Sequence, residues 1–322
     1  MRHSQFRTDI DFALPLYAQT HMTTMDAMNP GTKASESSQS TRTTGKQVLL
    51  GLASFLLSFA LVIGLAFALH GRASFVTQEA LSAVVITAAY FLSSHWIENR
   101  RPPELNLRGA ALEFITGLAL GLGLFSSTMG ILWCMGIYHP LSWGTFTGLG
   151  TGAVFAASAA IVEEILFRAF LFRVLSMAIG TWAAVLITAA FFGAMHAANP
   201  GATLSSSAAI ALEAGVLLAA AYAITGRLWM PIALHFGWNF AEGSLFGMSV
   251  SGGPPLPTFS HGSLNGSALF TGGPFGPEAS IVAVLLCLAA GILLLWQTAR
   301  SQRTQPPMWK HGSRRFFKSP KY

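Results

Sequence analysis

Apolar positions in this chain come in long blocks rather than in alternation. Val48 to Leu69 is a run of 22 residues without a charge, and Ala279 to Trp296 is another of 18. A bilayer core about 30 Å thick takes roughly 20 residues of helix, and only helices or closed barrels satisfy their backbone in lipid. Runs this long, with no period of two, predict helices. Eight spans follow, at about 48–69, 80–97, 112–137, 149–171, 179–198, 206–225, 228–247 and 279–298. Glycines, Pro231 and acidic residues interrupt several of them, so their ends are set only to within several residues. The expected fold class is all-α, a polytopic membrane bundle of about eight helices.

The intervening segments set the domain organisation. Residues 1–46 are polar and rich in Ser, Thr and Met, a composition that predicts a disordered tail. The first apolar block begins too late and runs too long for the h-region of a secretory signal; Met25 and Met28 are alternative starts. A membrane domain spans 47–298 and a basic tail 299–322. The connection 248–278 is rich in Gly, Pro and Ser, holds no Lys or Arg, and is expected to be an exposed loop.

Composition and charge narrow the function classes. Charged residues make up 10% of the chain, against about 25% in a soluble domain. A net charge of +6 points to nucleic acid only if it is clustered on one face. Instead, with the N-terminus inside, eighteen of the nineteen Lys and Arg residues fall on the cytoplasmic side and Arg72 alone opposite. That asymmetry is the positive-inside pattern. It predicts a multi-pass protein of the cell membrane with both tails cytoplasmic, the lipid bilayer as partner, and no nucleic acid. Cys134 and Cys287 lie in apolar segments and offer neither a disulfide framework nor a CxxC motif; they read as small apolar fillers.

The informative residues are the ionisable ones inside spans, each costing about 2.5–3.5 kcal/mol to insert. They are Glu163, Glu164, Arg168, His196, Glu213, His235 and Glu242. In span four, Glu164 and Arg168 are i, i+4 neighbours able to pair. Glu163 points about 100° away and is left to face a cavity, unless this is a helix end with an ordinary surface ion pair. In span five, His196 is either a hydrogen-bonded packing residue or a group that shares a proton near neutral pH. Gly193 and Ala194 beside it would let a neighbouring helix approach closely. In span seven, His235 and Asn239 share a face. They make either a pair of oxyanion donors or an interhelical hydrogen bond that holds the bundle. Glu242, three residues on, is a candidate for lining the same cavity, whereas Glu213 reads as structural. HExxH, GxSxG, Walker and Rossmann motifs are absent.

Taken together, Glu163-Glu164-x-x-x-Arg168, Phe192-x-x-x-His196 and His235-x-x-x-Asn239 resemble the signature of the CPBP group, the CAAX prenyl endopeptidases and bacteriocin-processing enzymes also called Abi proteins. The resemblance covers about residues 110–298. The stretch Gly272-Gly-Pro-Phe-Gly-Pro-Glu278 also looks like the final motif of a bacterial member. The resemblance implies an intramembrane endopeptidase, a hydrolase acting on a membrane-associated protein or peptide. Carried over, Glu163 would be the general base, His196 its partner, and His235 with Asn239 the oxyanion donors. Glu164, Arg168 and Phe192 would support the site. No cofactor is expected on this reading; the alternative is a Zn²⁺ site on Glu163, His196 and His235.

Two other function classes share the buried charges. A catalytically inactive immunity or scaffold protein could use the same fold, and a proton-coupled transporter also carries buried Glu and His. The second would show inverted repeats, which the two halves of the chain lack. One geometric conflict stands against the site. With spans of these bounds, His196 falls near the outer side while Glu163 and His235 lie in the middle or inner half. Span five must then begin later or tilt, or the helices must be unequal in length.

Overall fold

The computed structural model describes residues 30–253 and 258–310. Where each π turn is taken with the α-helix it continues, eight helical segments follow one another at the eight expected positions. They are α1 (Pro30–Leu69), α2 (Phe75–Ile97), α3 (Ala110–Cys134), α4 (146–179), α5 (Thr181–His196), α6 (Leu204–Thr225), α7 (229–245) and α8 (Ile281–Arg300). Stretches within α1, α2, α3, α6 and α8 are each long and apolar enough to cross a membrane, and α5 is a shorter apolar helix. The protein is an all-α, polytopic membrane bundle.

Three boundaries differ from the sequence expectation. Helix α1 starts at Pro30, inside the segment assigned to the tail; residues 1–29 and 311–322 lie outside the described residues. Proline fits the first position of a helix, where its missing N–H costs nothing, and no other proline follows until Pro102. Helix α4 does not stop near 171 but runs on to Ile179. Its two arginines do not mark an exit from the membrane domain. Arg168 is 1% exposed and lies 3.2 Å from Glu164, and Arg173 donates to Glu98 at 2.7 Å. Arg168 therefore drops out of the loop-charge count, and the positive-inside asymmetry rests on the other residues.

The third difference concerns the connection 248–278. Its described residues fold back on the bundle rather than standing in solvent. Ser260–Leu264 (β2) pairs antiparallel with Tyr138–Trp143 (β1), with a bulge between Pro140 and Ser142. Phe275 and Glu278 are buried. The turns this requires depend on glycine. Gly276 has φ 121°, and a Cβ there would run into the Ser249 carbonyl. A composition that reads as flexible loop is here the means of packing a chain tightly against helices.

The bundle is closest-packed where small residues face backbone. A side chain at Gly117 or Gly121 of α3 would strike the carbonyls of Met230 and Leu234 in α7, and one at Gly193 of α5 would strike that of Ser207 in α6. The last contact is the close approach expected from Gly193. Small residues at such crossings are what membrane helices use in place of a hydrophobic drive between them. Below the bundle, Glu98 and Glu104 bind Arg100 and Arg173 in a four-membered ion cluster, with Arg100 also donating to the Tyr90 hydroxyl. These carboxylates hold the Arg100 guanidinium above its ordinary range. The cluster ties the turn after α2 to the lower half of α4.

Among the described residues four π turns occur, two within helices at Ile165–Phe172 and Ala211–Gly215 and two at helix ends at Ser93–Ile97 and Ala241–Leu245. Three of them carry a buried charged residue, namely Arg168, Glu213 and Glu242. A π turn shifts the residues on either side out of α register, and such turns recur at functional sites.

Candidate active site

The turn between α4 and α5 resolves the conflict over depth. Gly180 adopts φ 85° and reverses the chain. At ~1.5 Å per residue, Glu163 lies about 25 Å back along α4 from this turn and His196 about 25 Å forward along α5. The two residues are therefore level. The sequence expectation ended α4 too early, which put Glu163 too close to the membrane's inner edge.

Glu163 Oε2 lies 3.9 Å from His196 Nε2 and 4.0 Å from His235 Nε2. Both separations exceed a hydrogen bond and suit a bridging water. This oxygen is buried and has no partner in the protein, although the Glu163 side chain as a whole is 28% exposed. The other nitrogen of each imidazole is committed. His196 Nδ1 donates to the Phe192 carbonyl at 2.8 Å. A carbonyl only accepts, so this bond fixes the tautomer and leaves Nε2 facing Glu163. His235 Nδ1 is 3.0 Å from Glu164 Oε1.

Glu164 is the hinge of the arrangement. The same Oε1 meets Arg168 Nη1 at 3.2 Å, and its side chain is fully buried. The expected i, i+4 pair exists, but it is internal rather than a surface pair. Arg168 stacks over the Phe192 ring with its Cζ 4.7 Å from the centroid, a cation–π contact strengthened by burial. His196 packs on the same ring at 4.6 Å. Phe192 is thus a platform between the ion pair and the histidine, which its place in the sequence could not reveal.

Asn239 and His235 line one pocket together with His196 and Phe192, as their spacing on α7 predicts. Glu242 is fully buried but does not line that pocket; its carboxyl faces Glu278 instead. The structure adds residues that the motifs leave out. Glu213, Trp238, Ser251 and Glu278 are also walls of the pocket, and Glu79 of α2 stands close enough to Glu163 for the two charges to interact. Glu213, which the sequence presents as structural, is therefore at the pocket wall. Burial pushes the Glu278 carboxyl above its ordinary range, against the opposing pull of Glu242, Ser251 and the two histidines. Glu278 lies outside the three main motifs but ends the Gly272–Glu278 stretch that looks like a bacterial member's final motif, which is the signal for it in the sequence.

No three His, Cys, Asp or Glu side chains among the described residues converge as a metal site requires.

Residues 145–241 match the family model described as type II CAAX prenyl endopeptidase Rce1-like. This segment belongs to that family. It contains Glu163 to Asn239, so all three motifs fall within the match. No curated protein and no solved structure matches the chain. At family level the segment is that of a CAAX-protease-like membrane endopeptidase, a hydrolase whose setting is the bilayer and whose substrate is a peptide.

Proposed function

We propose that this chain is an intramembrane endopeptidase that cleaves a membrane-associated protein or peptide with a water activated by Glu163. The observation that carries the reading is the placement of one unpartnered carboxylate oxygen about equally far from two imidazole nitrogens. A water in that gap gives one hydrogen to Glu163 and the other to His196 Nε2. As it attacks the scissile carbonyl, its proton passes to Glu163. The new oxyanion is met by the Asn239 amide and by His235, which in its doubly protonated form donates from both nitrogens, to Glu164 and to the oxyanion. Collapse of the tetrahedral intermediate breaks the C–N bond, and Glu163 returns its proton to the leaving amine. Donors already aimed at the developing charge need no reorganisation during the step. Glu164, Arg168 and Phe192 hold His235 and His196 in place.

The protein works without a bound metal on this reading, as a multi-pass protein of the cell membrane with both tails in the cytoplasm. The test is an assay of purified wild type and Glu163→Ala against internally quenched peptides, with and without chelator. Cleavage by wild type alone, indifferent to chelator, is expected. Full activity in Glu163→Ala would overturn the mechanism, and loss on chelation with recovery on Zn²⁺ would move it to a metal.

A further inference from the structure

The catalytic pocket has a polar end that the three motifs do not account for. Glu213 and Glu278 are 2% and 3% exposed, and Trp238 is 4% exposed. Glu213 Oε2, Glu278 Oε1 and Trp238 Nε1 each lack a hydrogen-bond partner. All three residues line the pocket shared by His196, His235 and Asn239. Buried polar atoms are nearly always paired, and leaving one unpaired costs as much as a lost hydrogen bond or more. Two unpaired acceptors and one unpaired donor at one pocket therefore point to a missing group with both characters.

The cavity's size narrows the choice. About 20 Å³ is open to the centre of a water molecule, and one water needs roughly 10–15 Å³ of such space. A single water fits; a peptide unit is larger, and only its polar N–H and C=O atoms would enter in place of that water. A hydrocarbon chain would leave the acids and the indole N–H buried and unsatisfied. The position of Glu278 is fixed rather than mobile. It sits in a 3₁₀ turn between Gly276, whose φ is 121°, and Ser280, whose hydroxyl caps α8 by accepting from the Ala283 N–H at 3.2 Å. Behind it lies the fully buried Glu242, and Ser251 is within hydrogen-bonding reach.

We propose that Glu278 and Trp238, with Ser251, form a subsite that binds one peptide group of the substrate next to the scissile bond, and that one ordered water occupies it in the free protein. The carboxyl of Glu278 accepts the substrate N–H, and the Trp238 indole N–H donates to the substrate carbonyl. The subsite rests on the peptidase reading above. It makes Glu278, which lies outside the family segment, a determinant of substrate binding.

Two measurements decide it. In a density map of the purified full-length protein near 2 Å resolution, a water is expected within hydrogen-bond distance of Glu278 Oε1; a dry pocket would overturn the proposal. In the peptide assay, Glu278→Leu and Trp238→Phe are each expected to raise KM about 10-fold or more with kcat little changed, the mark of lost uniform binding. Glu278→Gln keeps an acceptor oxygen and is expected to stay within about threefold of wild type. Wild-type KM in both Glu278→Leu and Trp238→Phe would refute the subsite. If Glu278→Leu does not fold, Trp238→Phe and Glu278→Gln carry the comparison. If wild type cleaves no peptide, the peptidase reading fails and the substrate role of the subsite with it, whereas cleavage with wild-type KM in the variants refutes the subsite alone.

Discussion

His235 and Glu164 are joined by a 3.0 Å hydrogen bond from Nδ1 to Oε1, which ties α7 to α4 at the level of the site. Because Arg168 meets the same oxygen, removing Glu164 strands a buried guanidinium as well as freeing the histidine. Breaking a buried pair by deleting one partner costs about 3–5 kcal/mol. Glu164→Ala is therefore expected to unfold well below wild type in a thermal-melt assay in detergent. The double variant Glu164→Leu/Arg168→Met should recover much of that loss without recovering activity.

Glu163 is the opposite case. It is adjacent in sequence, yet its side chain is partly open and Oε2 has no protein partner. Glu163→Ala should cost less than about 1 kcal/mol of stability and abolish peptide cleavage. A variant that melts as wild type and retains turnover would remove Glu163 from the chemistry.

The crossing of α3 and α7 positions His235 from behind. Gly121→Ala places a methyl against the Leu234 carbonyl, so α7 must shift. Overpacking of this kind typically costs 1–3 kcal/mol, order-of-magnitude. A lower melting temperature together with a reduced kcat is expected. Gly123, where an added Cβ meets nothing within 4 Å, serves as the control: Gly123→Ala should leave both unchanged.

Metal chelation separates the two chemistries open to a Glu/His/His site. Incubation with EDTA followed by dialysis is expected to leave the cleavage rate within about twofold of the untreated enzyme, since metal-ligand loss would cost far more. Elemental analysis of the purified protein should find zinc well below one equivalent.

Topology can be read with reporters. On the topology that the Lys and Arg asymmetry predicts, a fluorescent protein fused after Tyr322 is expected to be bright, and alkaline phosphatase at the same place inactive. Active phosphatase there would reverse the orientation.

Much of the architecture was legible in the chain because lipid imposes a local rule. A span must satisfy its own backbone, so run length locates helices, and among the described residues a helical segment overlaps each of the eight apolar blocks, with α1 and α4 longer than expected. The Glu164–Arg168 and His235–Asn239 pairings were legible for a similar reason, since i, i+4 neighbours are set by helix geometry and not by the fold. Arg168 shows the limit of that logic. Its charge read equally well as a loop marker, and only its burial against Glu164 and Phe192 decides between the two.

What the tertiary structure alone decided are the relationships between helices. Whether Glu163 and His196 meet depends on where α4 ends, and that end is set by Arg173 reaching Glu98 across the bundle and by the reversal at Gly180. Whether Glu278 belongs to the site depends on a Gly- and Pro-rich segment folding back between α7 and α8, with Phe275 buried beneath it. Helix formation follows from neighbours in sequence, whereas depth, register and loop placement follow from contacts between residues far apart, which no local pattern encodes.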